Sequence, residues 1–410
     1  MDAKMLLLGI LKTGYGLNGD FYINREGMFS WRKTTPSAGA LYPIEVLVYL
    51  KREQNTFCIY KYVIEEGTFE YIDSKTNSDK NDFGLHMRDM SILFLSHPQK
   101  SISKYGMRGN IYSLIDTCHA LSNTLFYANA LGFDPLLISR FNKKMFLKNH
   151  SNLCNGLEPV AFLAMQSDVQ LTKSDYMDSL NNFSTFNHFR YSIWEVMGND
   201  GSYFKTKKNK KELINIRSIR KAIINRYSSN NFFDRKIEIS VLEEVFKTPM
   251  SSFNLDYSIC DSNKISPMFL LRNTSVPDGL YTYNPKKGVF ECSQILKDPD
   301  SDIIKTFIRQ DWVSNSNALV FFCCQEFSNS FSKDMYTECF INSALFAQYL
   351  YLSCSINGLG ISSIGAFDEE RLKQSFQLNK MQILYVVALG ENQDIGHKFD
   401  KENVLLTDKK

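Results

Sequence analysis

Short stretches of this chain carry side chains suited to proton transfer and anion binding. Lys104 and Tyr105 are adjacent and are followed by Gly106. A lysine serves as a base where burial disfavours its ammonium form, and a tyrosine hydroxyl donates or relays a proton. The same pair also reads as a surface lysine and a core aromatic ahead of a helix. Arg226 and Ser228 flank Tyr227. A guanidinium beside a hydroxyl is a sound phosphate clamp; the alternative is a surface arginine and a helix-capping serine. In Pro36-Ser37-Ala38-Gly39-Ala40-Leu41-Tyr42-Pro43, small residues lie between prolines. Such a segment lets backbone come close to something flat or anionic, or forms an ordinary turn.

The elements that must position these groups follow from apolar periodicity. Val46 to Leu50 reads as a buried strand after the proline-bounded loop. Tyr112 to Gly132 carries Leu114, Ile115, Cys118, Leu121, Leu125 and Phe126 at helical spacing. Tyr336 to Gly358 repeats the pattern through Cys339, Phe340, Leu345, Leu350 and Leu352. Asn123 and Gln348 fall at equivalent places, and each helix ends at a glycine. Ile92 to Leu95 and Ala318 to Phe322 precede these helices as strands. Pro159 to Ala164 and Leu384 to Leu389 follow them. The chain therefore reads as a degenerate internal repeat: a first half over 1–167, a polar linker over 168–212 and a second half over 213–410. The alternating pattern indicates an α+β fold of sheets flanked by helices, with the long apolar helices packed between the halves.

Composition narrows the field further. A chain of 410 residues with 44% hydrophobic and 22% charged residues has the balance of a globular protein. Its net charge of +3 implies no nucleic-acid or membrane partner, and the basic run Lys205 to Lys211 reads as solvated linker. No apolar stretch is expected to reach membrane-spanning length. The nine cysteines lack metal-ligand spacing and mostly have apolar neighbours. They indicate reduced, buried thiols in a cytoplasmic protein, with no metal site.

The Pro36–Pro43 stretch, Lys104-Tyr105-Gly106 and Gly358-Leu359-Gly360-Ile361-Ser362-Ser363-Ile364-Gly365 occur in that order. Together they resemble the nitroreductase-like flavoproteins, and within them the azoline dehydrogenases of the streptolysin-S type. The resemblance covers most of the chain outside roughly residues 168 to 212. It implies a fold of two nitroreductase-like halves fused into a pseudodimer. It also implies an FMN cofactor. Arg226 and Ser228 match the family's phosphate-binding segment. Ser362, Ser363, Ile364 and Gly365 match its glycine-rich loop along the flavin ring, while Pro36, Ser37, Ala38 and Gly39 match the loop from the opposing subunit. Lys398 lies where relatives place a cationic phosphate contact, or is a solvated tail lysine. Lys104 and Tyr105 match the catalytic pair.

The losses in the halves are complementary. The phosphate segment and the glycine-rich loop survive only in the second half, which offers Thr248 to Asn254 in place of the proline-bounded loop. The Lys-Tyr pair survives only in the first half, its counterpart being Lys333-Asp334-Met335. A decayed fusion of this kind implies a single flavin, with phosphate held by the second half and chemistry supplied by the first. The activity implied is FMN-dependent oxidation of thiazolines or oxazolines to thiazoles or oxazoles in a ribosomally made peptide. The implied partners are an azoline-bearing precursor peptide and a cyclodehydratase. The competing readings are an NAD(P)H-dependent reductase and a flavin-free scaffold subunit.

Overall fold

The structure is a computed structural model that describes residues 3–23, 29–52, 56–76, 88–151, 154, 156–166, 203–204, 216–229, 231–252, 265–297, 299–307, 310–325, 333–378 and 381–393. The chain divides into two compact units at Asn225/Arg226.

The first unit opens with helix α1 (Ala3–Gly14) and a hairpin of β1 (Leu17–Ile23) and β2 (Phe29–Lys33). Its main sheet is built from β3 (Ile44–Lys51), β4 (Thr56–Val63), β5 (Thr68–Thr76), β6 (Met90–Ser96), β7 (Leu136–Ile138), β8 (Glu158–Met165) and β9 (Tyr203–Phe204). These strands run antiparallel in the order β5-β4-β3-β6-β8-β7-β9. The unbroken apolar runs form the centre: β6 is buried at every residue and β8 at all but its first. Between β6 and β7 lie α2 (Pro98–Tyr105) and α3 (Gly109–Ala130), and between β7 and β8 lies α4 (Lys143–Asn149). The unit ends in α5 (Ile216–Asn225), which packs against α1 and α3.

The second unit contains α6 (Ile239–Ser252), β10 (Ile265–Leu271), β11 (Gly279–Asn284), β12 (Val289–Ile295), α7 (Pro299–Thr306), β13 (Ala318–Gln325), α8 (Lys333–Asn357), β14 (Leu359–Ile364), α9 (Glu369–Ser375) and β15 (Met381–Glu391). Its strands are ordered β12-β11-β10-β13-β15-β14, again antiparallel. Strand for strand this matches β5-β4-β3-β6-β8-β7, and α8 sits between β13 and β14 as α3 sits between β6 and β7. The repeat read from the sequence is thus a repeat of topology, and the α+β architecture is as expected.

Several local expectations need correction. Ser362, Ser363 and Ile364, read as a glycine-rich loop, lie in β14, which pairs with β15 from Leu359 to Ile364. Thr248 to Ser252 is the end of helix α6 and not a loop; 253–264 lie outside the described residues. Most of the segment read as linker is also outside them, but Tyr203 and Phe204 form β9 at the sheet edge. Helix α8 does reach the length and hydropathy of a membrane span, against the expectation, although 78% of its most apolar window is buried within the protein. All described cysteines are free thiols, and all but Cys292 are buried.

Candidate functional site

In the first unit, α2 starts at Pro98, which suits a first helical position, and ends at Lys104-Tyr105. Gly106 stops it with φ 61° and ψ −147°, a region that only glycine enters readily. No neighbouring atom would obstruct a Cβ at Gly106, so the backbone angles alone require the glycine. The chain then turns directly into α3. The tight turn leaves Lys104 exposed and Tyr105 half-buried against Tyr112, ring centroids 5.1 Å apart and edge-on.

The Pro36–Pro43 loop lies against this pair. Lys104 Nζ is 3.5 Å from the Gly39 carbonyl and 5.4 Å from the Tyr105 ring centroid. Gly39 has φ 58°, and a Cβ there would run into the Tyr105 hydroxyl and Lys104 Nζ. The small residue and the proposed proton-moving pair therefore share one spot. Burial raises the Tyr105 pKa above its ordinary value, and the Asp116 charge and Tyr112 add to the rise. The hydroxyl accordingly keeps its proton at neutral pH.

Asp116, on α3, is the member of this site that the sequence reading missed as a participant. It is 4% exposed. Ser37 Oγ donates to its Oδ2 at 2.6 Å, and the Ala38 N–H donates to both oxygens at 3.1 and 3.2 Å. Arg108 bonds the Tyr112 hydroxyl. Burial pushes the Asp116 pKa up to about 7, against the downward pull of its two donors. An unfolded aspartate titrates near ~3.9, so the folded state holds this proton more tightly. The stability it contributes is complete below the unfolded value and is lost as pH rises through about 7. Melting temperatures measured from about pH 5 to about pH 8 should fall more for the wild type than for Asp116→Asn. Parallel curves would show that Asp116 does not titrate in this window.

In the second unit, Arg226 is 5% exposed and sits over the Tyr351 ring, its Cζ 5.4 Å from the centroid. Its Nη1 donates to Ser228 Oγ at 3.3 Å. The Tyr351 hydroxyl bridges Ser228 Oγ at 3.1 Å and Ser363 Oγ at 2.9 Å, and it accepts the Ser363 N–H at 2.9 Å. Thus Arg226, Ser228 and Ser363, distant in sequence, converge on one tyrosine that the motifs did not disclose. Ser229 is buried beside them, and its Oγ has no hydrogen-bond partner among the described residues. Ser362 is buried on the same strand, and Gly365 follows it. The Ile364 side chain belongs to the core with Phe232, Leu319 and Val386, leaving only its backbone for a ligand. Lys398 lies outside the described residues. A guanidinium, a set of hydroxyls and an orphan buried hydroxyl are the donors a phosphate monoester needs, so this cluster fits the phosphate end of FMN.

Comparison with known proteins bears on the fold. Residues 225–391 match the nitroreductase family model. A protein assigned as a nitroreductase in Anabaena variabilis is 17% identical, over 95% of this chain and 88% of its own, with a TM-score of 0.72. At that identity the likeness is one of fold, and it gives this chain a nitroreductase-like fold with one sheet in each half. The E. coli microcin synthetase McbBCD complex is 18% identical over 40% of this chain and 62% of its own, with a TM-score of 0.32. No curated protein matches the chain.

Proposed function

We propose that this protein is an FMN-dependent azoline dehydrogenase that converts thiazolines or oxazolines of a ribosomally made peptide into the aromatic azoles. The observation that carries the reading is the placement of Lys104 and Tyr105 against Gly39 of the Pro36–Pro43 loop. A proton-moving pair held against exposed backbone suits a flat ring better than a bulky side chain. FMN, when bound, supplies the acceptor for the hydride.

The residues of this chain supply the rest. The ring carbon next to the imine and the carbonyl is acidic, and its proton passes to Lys104 Nζ, either directly or through the Tyr105 hydroxyl, which hands its own proton to Lys104 as it takes one. The neighbouring ring carbon gives up hydride, so the ring loses two hydrogens and becomes aromatic. Lys104 is exposed in this structure, where a peptide ring can be seated over it. In the second unit, Arg226, Ser228, Tyr351 and Ser363 would hold the phosphate, and Ser362 and the backbone of Ile364 and Gly365 would line the cofactor. On this reading the partners are the azoline-bearing precursor and the cyclodehydratase that makes it, and the setting is cytoplasmic.

The reading is tested by mass spectrometry of an azoline peptide incubated with the protein. A loss of two hydrogens per ring is expected. Consumption of nicotinamide with the peptide untouched would favour a reductase, and a colourless protein a scaffold. The phosphate assignment has its own check. Arg226→Ala removes a charged contact worth roughly 1.5–3 kcal/mol, which corresponds to a loss of about 10- to 150-fold in FMN affinity. Flavin retained after desalting at the wild-type level would take Arg226 out of the site.

A further inference from the structure

We infer that Asp116 is a positioning residue: it holds the Ser37–Tyr42 segment in the bend that sets Gly39 against Lys104 and Tyr105, a role in turnover that rests on the azoline-oxidation reading above.

The bend is unusual backbone. Gly39, Ala40 and Tyr42 all have positive φ, at 58°, 55° and 46°. Two of these are not glycine, so the conformation persists only where its surroundings impose it. The imposing contacts are visible. Asp116 Oδ2 accepts from Ser37 Oγ at 2.6 Å, and Ser37 Oγ in turn accepts the Tyr42 N–H at 2.9 Å. The carboxylate also takes the Ala38 N–H. One buried group therefore grips the start of the bend directly and its end through a single serine.

The same face of α3 holds the flanks. Asn123 Nδ2 donates to the Thr34 carbonyl at 3.2 Å, and Ser113 Oγ donates to the Pro43 carbonyl at 3.5 Å. Ser113, Asp116 and Asn123 are three and seven residues apart, the spacing of a single helix face. Asn123 and Ser113 meet the loop at its margins, whereas Asp116 meets it at the bend. It also bears on the catalytic pair, since its charge is one of the influences that raise the Tyr105 pKa after burial. Ser37 and Ala38, which the resemblance offered as cofactor contacts, thus have their hydroxyl and N–H turned to the helix.

The test compares wild type, Asp116→Asn, Ser37→Ala and the double variant in two measurements. Hydrogen exchange of the amides in 36–43 is read first, with β3 as internal reference. Both single variants should exchange faster at Ala38 or Tyr42 while β3 is unchanged, because local opening reports the loss of specific hydrogen bonds. Azoline oxidation is read second. In each single variant kcat should fall by about tenfold or more with bound FMN unchanged, as expected for a misplaced reacting geometry. The double variant should lose less than the sum of the two single losses, because the Ser37–Asp116 bond is counted in both. Should Asp116→Asn not fold, Ser37→Ala carries the same test with the carboxylate intact. Wild-type protection of Ala38 and Tyr42 in the variants overturns the anchor. Faster exchange with unchanged kcat overturns the positioning role. Failure of the wild type itself to oxidise the peptide counts against the reaction proposed above, and the exchange data still decide whether Asp116 holds the loop.

Discussion

Lys104→Ala and Tyr105→Phe are expected to leave a folded protein that binds FMN and oxidises azolines about 10²-fold more slowly or worse, the usual scale for losing a positioned acid or base. Neither side chain contributes to a core: Lys104 is exposed, and Tyr105→Phe keeps the ring that packs on Tyr112. Neither belongs to the Arg226 cluster, so flavin content separates a chemical defect from a binding defect. Lys333→Ala is the control. Lys333 starts α8 as Lys104 ends α2, but Asp334 follows it where tyrosine follows Lys104. Stopped assays of the peptide by mass spectrometry should find Lys333→Ala close to wild type. Equal losses in Lys104→Ala and Lys333→Ala would mean two working sites. Full activity in Lys104→Ala with flavin bound would end the mechanism and return the reductase reading.

What the sequence disclosed and what it hid divide along physical lines. Helices α3 and α8 and the strands around them were legible because a long apolar period survives any detail of packing. The repeat followed, since two such sets at matching spacing leave few other topologies. Strand β14 was misread because Gly360, Ser362 and Ser363 are turn-forming types, and only the ladder to β15 overrides that preference. Asp116 and Tyr351 were missed for a different reason. Asp116 meets Ser37 across 79 positions, and Tyr351 meets Ser228 across 123. Within its own helix each is one more polar or aromatic residue, and nothing local marks it. The motifs thus supplied the residues expected to meet a ligand, whereas the residues that hold those motifs in place came only from the fold.

Gly39→Ala is expected to approach the same loss as removing Lys104, and it tests the geometry without deleting any functional group. The left-handed backbone is not the main obstacle. Ala40 already stands at φ 55° in the same turn, and an alanine in that region costs roughly 1–2 kcal/mol. That cost would lower the melting temperature by a few degrees and leave the protein folded. The larger effect is spatial. The added methyl would occupy the place where the Tyr105 hydroxyl and Lys104 Nζ now lie, so those ends must move or the loop must. A displacement of about 1 Å at reacting groups is worth about 10² in rate. In the Lys104→Ala background the methyl meets one obstacle fewer, so Gly39→Ala should cost less there than in the wild type. Near-wild-type turnover in Gly39→Ala would show that the closeness of this loop to the Lys-Tyr pair has no part in the reaction.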